Sequence, residues 1–131
     1  MIKAINTASN FIYIEDQYGI YVKDVFDALH AALERGVGHI VVLIQIPDPE
    51  SAQFGYDSYQ ADMWNPLKEA FPGKVQVYER NDEVYVHSKI VVVDDVWMAV
   101  GSQVCVFVGF GWLSNGMWIF IYYFVMRMFQ S

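Results

Sequence analysis

The chain has 131 residues, enough for one domain whose core needs neither disulfides nor a metal to hold it. Fifteen acidic against eight basic residues leave a formal charge of -7, and every acid lies at or before Asp95, so residues 1–102 form a strongly acidic unit. Such a unit lacks the broad basic face that sequence-independent nucleic-acid binding requires, which argues against DNA or RNA as a partner, and the lone Cys105 excludes an intramolecular disulfide.

In chain order, Ile2 to Ser9 reads as the end of a helix. Met1 to Ile14 holds one lysine and no unbroken apolar stretch with a small-residue cleavage site, so no secretory signal is expected, and the location reads as cytoplasmic or membrane-associated. Phe11-Ile12-Tyr13-Ile14 is a β-branched and aromatic run, predicted as a strand that ends in Glu15-Asp16-Gln17. From Val22 to Glu34 the apolar residues Val22, Val25, Phe26, Leu29, Ala32 and Leu33 recur at three-and-four spacing, which predicts a helix closed by Gly36. His39 to Ile46 is a nearly continuous apolar run, predicted as a strand covered on both faces and ended by Pro47-Asp48-Pro49.

A polar loop then leads through Gly55 to a second helix, Tyr59 to Phe71, which Pro66 is expected to kink or interrupt. Lys74 to Tyr78 is a third strand, Val84 to Val93 a fourth, and the turn Asp94-Asp95 leads to a fifth from Val96 to Val100. This order predicts an α/β fold: a mixed sheet with flanking helices, the last two strands adding an antiparallel hairpin.

The chemistry concentrates between His87 and Ser102. On the predicted strand His87 and Lys89 are two residues apart, which sends their side chains to one face roughly 6–7 Å apart, within reach of one phosphate group. An imidazole can attack or protonate, and an ammonium can hold the oxygens on which charge builds in phosphoryl transfer. Asp94, at the far end of the strand, is placed to anchor the turn or orient neighbours rather than attack. His30 reads as a solvated helix residue and His39 as the start of a strand. Cys105 reads as a small buried apolar residue.

The full pattern, His87-x-Lys89-x4-Asp94-x6-Gly101-Ser102, resembles the signature half-motif of the phospholipase D superfamily, and Phe11 to Tyr18 resembles the strand opening the second half of phosphatidyl-type members. The resemblance covers residues 1–102 and implies half of a phospholipase D-like two-domain arrangement. It implies a phosphodiesterase acting on phospholipid or a similar phosphodiester through a phosphohistidine, with His87, Lys89 and Asp94 as the motif residues. His87 is then nucleophile or general acid and Lys89 the phosphate holder. Gly101 and Ser102 support the site. Glu15 lines its mouth or, as an equal alternative, caps a strand end in water. No cofactor or metal is called for.

The chain carries one copy of the motif where the chemistry uses two histidines, so the resemblance implies a second motif in trans, from a homodimer or from a missing first half-domain. Met1 falls close to where a second half begins, which fits a truncated or split gene. Two positions depart from the pattern: Val104 stands where the family has a phosphate-holding asparagine, and no acid follows Asp95 to orient the histidine. An inactive truncated fragment or pseudoenzyme retaining the scaffold is the alternative function.

Composition changes at Gln103. Residues 103–131 form an apolar, atypical tail, and Val104 to Met126 is 23 residues without a charge. Three readings stand: a frame-slipped or degenerate continuation, a pair of core strands divided by Ser114-Asn115-Gly116, or a membrane anchor over 104–126. The last allows a membrane-anchored module that binds a phosphate or a partner.

Overall fold

The computed structural model describes residues 1–52, 54–80 and 85–101. Helix α1 spans Ile2–Thr7, strand β1 Phe11–Asp16, helix α2 Lys23–Glu34 and strand β2 His39–Gln45. The one-turn helix α3 follows at Pro49–Ala52, then helix α4 at Tyr56–Ala70 and strands β3, Val75–Arg80, β4, Lys89–Val93, and β5, Trp97–Val100. The five strands make one sheet in the order β3-β2-β1-β4-β5. Helical crossovers through α2 and α4 make β1, β2 and β3 parallel, while β4 and β5 run antiparallel to their neighbours. The fold is a mixed α/β sheet flanked by helices, with the antiparallel hairpin that the element order predicts.

One core holds it together. Helix α2 buries Val25, Leu29, Ala32 and Leu33 of its predicted stripe together with Ala28, while Val22 and Phe26 are only partly buried, and α4 buries Met63, Trp64 and Leu67. These meet Ile12 and Ile14 of β1, Ile40, Val42 and Ile44 of β2, and Val91 and Val93 of β4. Each fully buried Leu or Ile contributes about 1.5–3 kcal/mol. The Trp64 indole N–H donates to the carbonyl of Gly19 at 2.8 Å, tying α4 to the loop after β1.

The sheet is covered on one face by the described residues, against the expectation of two covered faces for the β2 run. Register pairs Tyr13 with Val41 and Val92, and Glu15 with Leu43 and Ile90, so these residues share the other face. All of them are partly exposed. Strand β2 alternates buried and half-buried residues because only its even-numbered side chains meet helices.

Three further differences from the predicted elements have local causes. The polar loop before Gly55 contains α3, started by Pro49 at a position that needs no amide donor. Helix α4 runs through Pro66; Pro66 and Asp62 are both exposed, so the carbonyl that loses its donor faces water. Strand β4 begins at Lys89, not at Val84. Among the described residues no helix is long and apolar enough to cross a membrane. The tail 103–131, with its proposed span 104–126, and Ser102 lie outside the described residues.

Candidate functional site

The parallel strands β1, β2 and β3 end on the same side of the sheet, at Asp16, Gln45 and Arg80, and β4 starts there, Lys89 pairing with Asp16. Ligand sites of open α/β sheets lie outside these carboxyl ends. Three amides occupy the spot, Gln17 and Gln60 buried and Gln45 half-buried. Gln60 of α4 donates to the carbonyls of Tyr18, at 2.6 Å, and Gln45, at 3.0 Å. The Gln45 side-chain oxygen accepts the N–H of Val86 at 2.9 Å. Gln17, 7 % exposed, donates through Nε2 to the hydroxyl of Tyr85.

Lys89 is 3 % exposed, an uncommon position for an ammonium. Its Nζ donates to Gln17 Oε1 at 2.9 Å and to the backbone carbonyl of His87 at 2.6 Å. Both acceptors are neutral. Opposite Lys89 in the register, Asp16 is buried and directs Oδ1 to the N–H groups of Tyr18, at 2.8 Å, and Gly19, at 3.2 Å. The N–H of Gly101 donates to the Lys89 carbonyl at 2.9 Å, which brings the end of the hairpin beside the motif lysine.

His87 does not share a strand face with Lys89 as the spacing predicts. Residues 85–88 precede β4 as irregular chain, held by the side chains of Gln45 and Gln17 rather than by a ladder, and the alternation slips there. Val86 and Lys89 are both buried, three residues apart, while His87 is exposed. The two motif residues are joined instead through the His87 carbonyl. The imidazole lies 6.2 Å from the Tyr85 ring, centroid to centroid, and hydrogen-bonds to none of the described residues. Around this end stand Tyr18, stacked on Tyr56 at 5.1 Å, and Tyr85. Burial raises the Tyr18 phenol above its usual range, and the neighbouring Tyr85, Tyr56, Asp48 and Asp16 add to the rise.

The other residues singled out in the sequence lie elsewhere. Asp94 sits at the opposite end of β4, roughly 17 Å along the strand from Lys89. With φ of 53° it turns its carboxylate to the N–H groups of Ser9, Asn10 and Phe11 and the Ser9 hydroxyl. Burial alone would raise its pKa, but these donors outweigh it and hold the carboxyl below its ordinary range. Glu15 points to the face of the sheet opposite Lys89, where it accepts from the Tyr13 hydroxyl at 2.8 Å and from the Ser88 hydroxyl. Burial, and then this bond to Glu15, push the Tyr13 phenol up to about 12. His39 pairs with Phe11 at the far end of β1, and His30 lies on α2 between Phe26 and Phe71, so neither stands near His87.

Gln17, Gln45, Gln60 and Tyr85 are the site residues that pattern reading passes over. A neutral amide has no charge or spacing rule to mark it. The only cue is Gln45 and Gln17 standing at the polar ends of two apolar runs.

Among solved structures, the fold is similar to NucT from Helicobacter pylori, at 17% identity and a TM-score of 0.49, over 79% of this chain and 63% of that one. It is similar to the archaeal chromatin protein TrmBL2, at 15% identity and 0.51, over 79% and 34%. Polyphosphate kinase from Porphyromonas gingivalis matches at 10% identity and 0.55, over 79% and 17%. The chain thus spans less than two thirds of the length of each, and at these identities the likeness concerns the fold alone. No curated protein matches the chain. Residues 1–104, which carry the five described strands and the His87-x-Lys89 segment, match the family described as cardiolipin synthase, PLD-like domain, and the chain belongs to that phospholipase D-like family.

Proposed function

We propose that the chain is a phosphodiesterase half-site acting on phospholipid or a similar phosphodiester, with Lys89 holding the phosphate and His87 reacting with it. The observation that carries this reading is the buried Lys89 ammonium, bonded to the His87 carbonyl at the carboxyl ends of three parallel strands. The hydrogen-bond partners of the ammonium among the described residues are neutral, and the buried Asp16 opposite it in the register turns Oδ1 to the N–H groups of Tyr18 and Gly19.

In the proposed reaction an imidazole nitrogen of His87 forms a bond to phosphorus as the bond from phosphorus to the leaving alcohol breaks. A histidine from a second motif gives its proton to the departing oxygen. Water then attacks the phosphohistidine, its proton passing to that second histidine, and His87 is released. Ser102 is a supporting donor, next in the chain to Gly101, whose N–H bonds the Lys89 carbonyl. The second histidine comes from a second copy of the chain or from a separate first half-domain, since His30 and His39 stand elsewhere on the sheet and helices. The acidic balance, -7 over the chain, favours a lipid or small diester over nucleic acid.

The test is release of alcohol from phosphatidylcholine vesicles and from a chromogenic phosphodiester, comparing the protein with His87→Ala. A His87-dependent rate supports the reading, and equal rates overturn it. One observation favours a second reading, a catalytically silent scaffold: the His87 imidazole has no orienting partner among the described residues. Phosphate binding that depends on Lys89 but no His87-dependent turnover is the expected outcome in that case.

A further inference from the structure

Resting on the phosphodiesterase reading, we propose that Gln17 is the positioning residue of this site, holding the Lys89 ammonium through a neutral oxygen so that its charge stays available to a phosphoryl oxygen. An ammonium donates and cannot accept, so the atom of Gln17 that faces Lys89 Nζ at 2.9 Å must be Oε1. Nε2 is then turned to Tyr85, whose hydroxyl accepts from it. The amide is thereby locked at both ends, and at 7 % exposure it has little room to rotate. A line of contacts, Tyr85 to Gln17 to Lys89 to the His87 carbonyl, runs from the surface to the reactive segment.

The choice of an amide is the informative part. The chain is rich in acids and has one immediately before, yet the Asp16 carboxylate directs Oδ1 to the backbone of Tyr18 and Gly19. The side chain that meets Nζ is the isosteric neutral one. A carboxylate there would keep the geometry and cancel much of the positive charge that an anionic ligand needs. Among the described residues Gln17 and His87 take two of the three N–H donors of Lys89, leaving one to meet a phosphoryl oxygen.

The experiment uses the full chain and its variants Gln17→Glu, Gln17→Leu and Lys89→Met, with inorganic phosphate as probe followed by phosphorus NMR. Phosphate is expected to bind in a Lys89-dependent way, and Gln17→Glu to weaken it about tenfold or more while melting no lower than the parent. Binding by a folded Gln17→Glu within about twofold of the parent overturns the charge argument. A second readout does not depend on the site's function: acetylation of the Lys89 amine against pH, read by mass spectrometry. Gln17→Glu is expected to move that profile to higher pH and Gln17→Leu to lower pH, because each changes how well the ammonium form is held. Profiles unchanged in both variants overturn the positioning role. A parent chain without Lys89-dependent phosphate binding defeats the phosphodiesterase reading, and the acetylation profiles still decide whether Gln17 holds Lys89.

Discussion

The carboxylate of Asp94 accepts the backbone N–H of Phe11 at 2.8 Å, and so fastens the β4–β5 turn to the first residue of β1, 83 positions earlier. The N–H groups of Ser9 and Asn10 and the Ser9 hydroxyl converge on the same carboxylate. This end of the sheet is therefore closed by one side chain, while the opposite end carries Lys89 and the amide cluster.

Asp94→Ala is expected to destabilise the fold by about 2 kcal/mol, less than the number of bonds suggests because those to Ser9 and Asn10 are exposed. Since the folded carboxyl titrates below its ordinary value of 3.8, its contribution is fully present above that pH and is lost as pH falls through the lower folded value. Urea melts of the parent and Asp94→Asn between neutral pH and pH 3.8 or below check both points, the variant showing the shallower acid slope.

Gly19 adopts φ of +54°, and a Cβ there would lie 2.5 Å from Ile44 Cγ2 and 3.1 Å from the Trp64 indole nitrogen. Gly19→Ala meets both a left-handed backbone and a β-branched core side chain, so a loss of about 2–4 kcal/mol is expected. A thermal midpoint unchanged from the parent would show that the loop after β1 is not held as the Trp64 bond implies.

Glu15→Gln is expected to bring the Tyr13 phenol part of the way from about 12 back toward 10, since burial rather than Glu15 is the larger cause of the rise. The parent's stabilisation from this group is fully present below pH 10 and is lost as pH rises through about 12, because the unfolded chain gives up the proton first. Carbon NMR of ring-labelled tyrosine reads the titration, and melting temperatures between pH 10 and 12 read the stability.

Mixing distinguishes the source of the second histidine. When parent chains are refolded with an excess of His87→Ala, turnover is expected to follow the square of the parent fraction if two copies share each site. Turnover proportional to the parent fraction would point to a separate half-domain as the partner.

The sequence by itself determined the order of elements apart from the one-turn α3, because the other helix and strand periodicities in this chain are local and strong: α2 was legible in the spacing of Val25, Leu29 and Leu33, and β2 in the run from His39. It also placed an imidazole and an ammonium two residues apart in one segment, His87-x-Lys89. Tertiary structure alone decided how those groups meet. Lys89 finds its acceptor 72 positions away on Gln17, an amide with no charge to advertise it. Glu15 and Lys89 lie on opposite faces because Lys89 pairs with Asp16 rather than with Glu15, a matter of register between strands that no single strand encodes. The slip that exposes His87 arises because side chains, not a neighbouring strand, hold residues 85–88. Local pattern reaches as far as the hydrogen bonds within an element; the site is made by bonds between elements.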